Sequence, residues 1–279
     1  VHDVPVTNLD AVTAPQRRWH AELAWLAAPE TGPPGEAASP AGLAENVLIE
    51  ARGPRFTAVA PGTPAASVPP GTVRLRGLTL PGLANAHSHA FHRALRGAAS
   101  GGDTFWTWRE RMYAVAERLD PERYFALARA VYAEMALAGV TCVGEFHYLH
   151  HAPGGRKYRD PNEFGLRLLD AAAAAGVRIT LLDACYLAGG FASDGTPVPL
   201  AGVQLRFGDG SAAAWAERVS RLGCDSLGML APHARIGAAI HSVRAVAPDQ
   251  MPDILAWSRA HGAPVHAHLS EQPLENAEC

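Results

Sequence analysis

The segment LTLPGLANAHSHAFHR, Leu78 to Arg93, carries an apolar run through a Pro-Gly turn into His87, Ser88 and His89. Side chains alternate faces along a strand, so His87 and His89 point the same way while Ser88 points elsewhere. Two imidazoles on one face at a strand end make half of a metal site. A bare His-x-His is more often surface or satisfied-core histidine. Its weight here comes from a second pair, His266 and His268 in PVHAHLSEQ, which again caps an apolar run and is followed by Glu271. Neutral imidazoles buried side by side need hydrogen-bond partners or a metal. Two such pairs on two strand ends therefore predict a metal centre rather than core packing.

Downstream of His89 the pattern becomes strands alternating with helices. Asp120-Pro121 reads as the cap and first position of a helix ending at Gly139, with TCVGEF as the next strand. Asp160-Pro161 opens a second helix closing at Gly176, followed by VRITLLDACY; Ser211 opens a third ending near Gly223, followed by RIGAAIHSV. A fourth helix over 252–261 leads into PVHAHL. This alternation is the mark of parallel βα units. Counting from Leu78 gives five strands, near residues 80, 141, 178, 236 and 265, with no helix expected over the last. Paired histidines at strand ends without a Gly-rich phosphate loop favour a barrel over a doubly wound sheet. The expectation is an α/β fold, a (β/α)8 TIM-type barrel truncated after about five strands and occupying residues 81–279. Its last strand would then be an open edge. Residues 1–80, with strands near 19–26, 46–51, 56–60 and 73–80 between Gly/Pro-rich stretches, read as an incomplete, β-sandwich-like N-terminal domain.

Composition narrows the function. A formal net charge of -3 and the lack of any Lys/Arg block argue against nucleic acid or an anionic membrane as the main partner, leaving a small molecule. No stretch is long and apolar enough to span a bilayer, and the start VHDVPVTNLD has no signal-peptide character, which predicts a cytoplasmic protein. Cys142, Cys185, Cys224 and Cys279 are scattered without a C-x-x-C pair, which suits a reduced compartment.

With these residues assembled, the chain resembles the amidohydrolase superfamily and, within it, the formimidoylglutamate deiminase family. The resemblance runs from about Trp19 to the last residue. Its carriers are HSHAFHRALRG (87–97), FWTWRERMY (105–113), EFHYLHH (145–151), HSVRAV (241–246) and VHAHLSEQ (265–272). It implies a metal-dependent hydrolase that converts N-formimidoyl-L-glutamate to N-formyl-L-glutamate and ammonia in histidine degradation. It also implies one Zn2+ per chain held by His87, His89 and His268, with Glu271 as proton shuttle. Arg109, Tyr148, His241 and Arg244 are then substrate-binding residues, two arginines suiting a dicarboxylate.

His92 stands where the family often has glutamine, so it is a further substrate-binding candidate that could alter selectivity. A further family histidine, after the sixth strand, and a metal-binding aspartate, after the eighth, fall beyond Cys279, so activity of this chain alone is in doubt. His266 is expected to neighbour the metal ligands, and His150, His151, His233 and His261 to be surface or structural. The partner implied is a small dicarboxylate, with homodimerisation left open. The rivals are a deaminase of the same superfamily acting on guanine or a thioadenosine compound, which needs a flat apolar slot, and an inactive fragment. No redox or DNA-binding motif is present.

Overall fold

The computed structural model describes residues 15–27, 42–53, 55–97, 104–192, 194–222, 230–271 and 273–278. Cys224, Cys279 and the helix end expected near Gly223 lie outside them. The chain forms two units, Val1–Pro81 and Gly82–Cys279. In the first, β1 (Gln16–Leu26), β2 (Gly42–Arg52), β3 (Arg55–Ala60) and β4 (Val73–Thr79) form one mixed sheet in the order β3-β2-β1-β4, with β1 and β4 parallel. Ala21, Ala24 and Val47 are its small buried core.

The second unit is a parallel sheet of five strands in sequential order: β5 (Leu83–Ser88), β6 (Val140–His147), β7 (Arg178–Cys185), β8 (Ala234–Ser242) and β9 (Val265–His268). Sequential parallel order with intervening helices is barrel order. The helices are α1 (Phe105–Arg118), α2 (Pro121–Leu137), α3 (Glu163–Ala175), α4 (Ala212–Val219), α5 (Met251–His261) and α6 (Pro273–Glu278). Asp120 caps α2 by accepting the Arg123 N–H at 2.8 Å, and Ser211 caps α4 by accepting the Ala214 N–H at 3.1 Å. Gly176 ends α3 in the left-handed region at φ 74°.

Three expectations shift. The run Leu78–Leu80 is not the start of the metal-bearing strand: β4 ends at Thr79, and β5 begins only after Pro81, whose missing N–H punctuates the chain. Asp160-Pro161 forms a turn, in which Asp160 accepts the Asn162 N–H at 2.8 Å, and α3 starts at Glu163. A short helix, α6, does follow β9.

On β6 and β7 alternate residues face opposite ways. Phe146 sits against the rings of His87, His89 and His268, whereas its neighbour Glu145 is fully buried against Tyr132 of α2. Gly144 shares the Phe146 face, and a Cβ there would sit 2.7 Å from the Ala86 carbonyl oxygen, so only glycine lets β6 approach β5 this closely.

The helix side of the sheet holds a buried polar network. Asp183 accepts Trp215 Nε1–H at 2.9 Å and two Arg218 donors at 2.7 and 3.0 Å; Arg218 also binds Asp209 and Asn162. Burial, the largest single influence, opposes ionisation of Asp183, but Arg218, His150 and His147 together hold the carboxyl below its usual range. His150 and His151, expected to be surface or structural, are structural: they and His147 are each only 1% exposed. His150 Nε2–H donates to the Ala184 carbonyl at 3.0 Å. Burial, then Arg218, lowers its pKa to about 4; burial, then His150, takes His147 well below its ordinary value. Ligand-type atoms of His147, His150 and Asp183 lie within 4.8 Å of one another. Arg218 already engages both Asp183 oxygens and its charge opposes a cation, so the cluster is an ion-paired structural network. Arg206, also buried, donates to the carbonyls of His151 (2.9 Å), Leu119 (2.7 Å) and Ala116, tying the end of α1 to the loop after β6.

Removing Arg218 leaves two buried carboxylates without a counter-charge. Arg218→Ala is expected to lower the unfolding free energy by about 3–5 kcal/mol in denaturant titrations; a change under ~1 kcal/mol would show that the network is not buried as described. His147 and His150 are neutral in the folded state and have depressed pKa values, so the unfolded chain binds more protons below the ordinary histidine pKa. Stability is full above about pH 6.5 and is lost as pH falls toward about 4. Each such group contributes up to about 1.4 kcal/mol per pH unit across that window. Denaturant midpoints in chelator that stay flat between pH 7 and 5 would contradict this.

Candidate metal and substrate site

The site is built at the C-terminal ends of the strands, where a parallel sheet delivers every strand to one rim. His87 lies on β5 and His89 directly after it, and His268 ends β9. Their Nε2 atoms converge: His87 to His89 3.2 Å, His89 to His268 3.3 Å, His268 to His87 3.3 Å. His89 Nδ1–H donates to the Phe146 carbonyl at 2.9 Å, and His268 Nδ1–H donates to the His241 carbonyl at 2.8 Å. Since a carbonyl only accepts, both rings carry their proton on Nδ1, which leaves Nε2 as a bare lone pair. Burial, then His92, keeps His89 well below its ordinary pKa; burial, then His268, lowers His87.

Lone pairs aimed at one another repel unless a cation lies between them. Two nitrogens on a tetrahedral ion with bonds of about 2.0–2.1 Å sit roughly 3.3 Å apart, the spacing found here. The donor set, three imidazoles of which His89 and His268 are held by backbone acceptors, fits a zinc-type ion.

The same histidines line a cavity of ≈ 380 Å³ together with His92, Arg109, Tyr148, His241, Arg244 and Glu271. Every site residue read from the sequence is therefore in one place. Arg109 is not a solvated surface arginine: its guanidinium lies 4.4 Å from the Trp106 ring and 5.5 Å from that of Tyr113, and its Nε is buried without a partner. Thr104 caps the helix that presents it, through a reciprocal pair with Thr107. His92 Nε2 and the Tyr148 hydroxyl are 2.7 Å apart, and burial, then His268 and His87, takes His92 down to about 3. That ring is an uncharged hydrogen-bonding group. Burial raises Tyr148 well above its ordinary value, so it is a neutral phenol.

Arg244 is already paired. It contacts Glu271 directly and lies 2.7 Å from Glu275, whose other oxygen accepts the Ser270 N–H at 2.7 Å. His266 shows no link to the converging nitrogens beyond its electrostatic influence on His87. His233 and His261 are structural: His233 meets the Leu169 carbonyl at 3.0 Å, and His261 stacks on Trp257. Residues that sequence reasoning passed over also shape the cavity. Trp108, Tyr186 and Phe207 give it aromatic walls, and Gln204 donates to Tyr113 and Tyr186 at 3.1 and 3.3 Å. Tyr186 and Phe207 carried no motif signal, because a core aromatic and a cavity aromatic look alike in sequence.

Comparison with known proteins agrees with this geometry. The amidohydrolase family model matches residues 78–279. The chain is 43% identical over 213 residues to the formimidoylglutamate deiminase of Pseudomonas aeruginosa, covering 75% of this chain and 45% of that protein. It is 27% identical over 231 residues to the 5-methylthioadenosine/S-adenosylhomocysteine deaminase of Nitratidesulfovibrio vulgaris, covering 83% of this chain and 44% of that one. Among solved structures, an amidohydrolase from Brucella melitensis superposes with a TM-score of 0.79 at 33% identity, over 94% of this chain and 54% of that chain. The chain thus spans about half the length of the relatives it matches. With the parallel strands in barrel order, the histidine triad at their ends and a family match from residue 78 onward, the chain belongs to the amidohydrolase family.

Proposed function

We propose that this chain carries the metal-binding and substrate-binding half of a zinc-dependent deiminase that hydrolyses N-formimidoyl-L-glutamate to N-formyl-L-glutamate and ammonia, in histidine degradation. The observation that carries the reading is the shared cavity: three converging imidazole nitrogens open into the same space as Arg109 and Arg244. A zinc ion held by such a triad is a Lewis acid that brings the pKa of bound water toward ~7.

The chain's own residues supply the rest. Arg109 and Arg244 come from separate elements, so each takes one carboxylate of a dicarboxylate through charge-assisted hydrogen bonds. Water adds to the formimidoyl carbon, and Glu271 passes a proton originating from that water to the departing nitrogen, which leaves as ammonia when the C–N bond breaks. Its contact with Arg244 links the two tasks, because a substrate carboxylate arriving at Arg244 competes with Glu271 and frees it. Tyr148, His241 and the uncharged His92 offer polar atoms around the substrate.

The rival reading, a deaminase of an aromatic base or thioadenosine, draws support from the aromatic walls of Trp108, Tyr186 and Phe207. Two cations facing one small cavity weigh against it, since such a ring brings no pair of carboxylates to match them.

In the full-length protein, His268→Ala is expected to drop bound zinc from one per chain to well below it by metal analysis; stoichiometric zinc at unchanged affinity would remove the triad from the assignment. Arg244→Ala is expected to lower kcat/KM for N-formimidoyl-L-glutamate by the equivalent of roughly 2–5 kcal/mol. Unchanged kinetics would sink the carboxylate clamp. Faster turnover of guanine or a thioadenosine compound than of N-formimidoyl-L-glutamate by the unaltered protein would favour the rival.

A further inference from the structure

Beside the histidine triad lies a carboxyl group that the reaction does not use. Glu145 is on β6, its side chain turned to the helix side, and it is 0% exposed. One of its oxygens accepts the Ala90 N–H at 2.6 Å, and the hydroxyls of Ser88 and of Tyr132 on α2 lie beside the same carboxyl. Its other oxygen has no well-aligned partner. An apolar side chain would avoid burying that oxygen, so stability alone gives little reason for a carboxyl here.

What Glu145 holds is the residue on each side of His89, Ser88 through its hydroxyl and Ala90 through its main-chain N–H. The β5–β6 ladder runs in register from Ala84 to Asn85, then shifts before Ser88 meets Glu145, so regular pairing lapses where the chain turns to bring His87 and His89 together. Ala90 opens a 3-10 turn, Ala90–Leu95, so its N–H has no partner within that turn. Glu145 supplies one. The next residue, Phe146, accepts the Nδ1–H of His89 at 2.9 Å. Consecutive residues of β6 thus fix first the main chain and then the ring of one histidine.

We propose that Glu145 is a positioning residue of the metal centre: its carboxyl locks the Ser88–Ala90 backbone and thereby aims the His89 imidazole at the point where the three ring nitrogens meet. This rests on the zinc reading above. Groups that orient metal ligands in this way typically change metal affinity 10- to 100-fold when removed.

The test uses the full-length protein with Glu145→Leu, which keeps the interior filled, Glu145→Gln, which keeps an acceptor oxygen, and Ala90→Pro, which deletes the N–H and leaves Glu145 in place. Three quantities are measured: the zinc dissociation constant by chelator competition, the absorption spectrum of the cobalt-substituted protein, and the unfolding midpoint of the metal-free protein. The expectation is zinc binding weakened about 10- to 100-fold with an altered cobalt spectrum for Glu145→Leu and Ala90→Pro, and values near those of the unaltered protein for Glu145→Gln. A merely structural role would move the metal-free unfolding midpoint alone. Unaltered zinc affinity and cobalt spectrum in a folded Glu145→Leu or Ala90→Pro protein would overturn the proposal while leaving the zinc reading intact. Failure of the unaltered protein to take up zinc would overturn that reading, and this proposal with it.

Discussion

Three imidazole lone pairs aimed at one point are the constraint around which this half-barrel is arranged. The Nε2 atoms of His87, His89 and His268 stand 3.2–3.3 Å apart, too close to be comfortable without a cation. Holding them there requires that their rings cannot turn away. The Phe146 and His241 carbonyls prevent this for two of the rings by accepting Nδ1–H, which fixes orientation and turns Nε2 toward the point where the three rings meet. The sheet makes that possible. Parallel strands deliver β5 and β9 to the same rim, so residues 181 positions apart in sequence meet as neighbours.

The two faces of the sheet divide the work. On β6, Phe146 packs against the histidine rings while Glu145 and His147 are buried on the helix side. On β7, Asp183 is held there by Arg218 and Trp215 of α4. Buried charges of this kind add little net stability when paired and are strongly destabilising when unpaired. Their service is geometric, since they fix which helix lies over which strand. Arg206 does the same for α1 through three carbonyls, and α1 is the helix that brings Arg109 to the cavity. A rim that must be accurate is thus underpinned by polar contacts that admit few alternative arrangements.

The barrel order and the converging histidines were legible because their signals are local. Two His-x-His pairs after apolar runs, caps at Asp120 and Ser211, and a stop at Gly176 each sit within a few residues of what they determine. Starts set by longer-range pairing were less legible. The run at Leu78 looks continuous with the strand after it, yet its residues pair with β1, a partner more than fifty positions earlier. The helix side of the sheet was least legible. His150 and His151 read equally as surface or structural histidines because nothing nearby in sequence announces Asp183 or Asp209 as neighbours. Glu145 did leave a trace: a lone charged residue in the otherwise uncharged strand TCVGEF is hard to reconcile with a buried strand unless it has a task.

The arrangement of charge in the cavity follows from the same economy of positions. A small site facing water could leave two arginines free, but here Arg109 lies against the Trp106 and Tyr113 rings and Arg244 is held by Glu271 and Glu275. An arginine stacked on rings keeps its charge and its planar donors while losing freedom to swing into solvent, so less order has to be imposed when an anion arrives. An arginine already bound to carboxylates is oriented in the same way, and its present partners mark the geometry a ligand carboxylate would adopt. Glu275 is buried and also secures Ser270, whereas Glu271 is exposed. In the proposed function the exposed partner is therefore the one that a substrate carboxylate would replace, and the buried one would hold Arg244 in place.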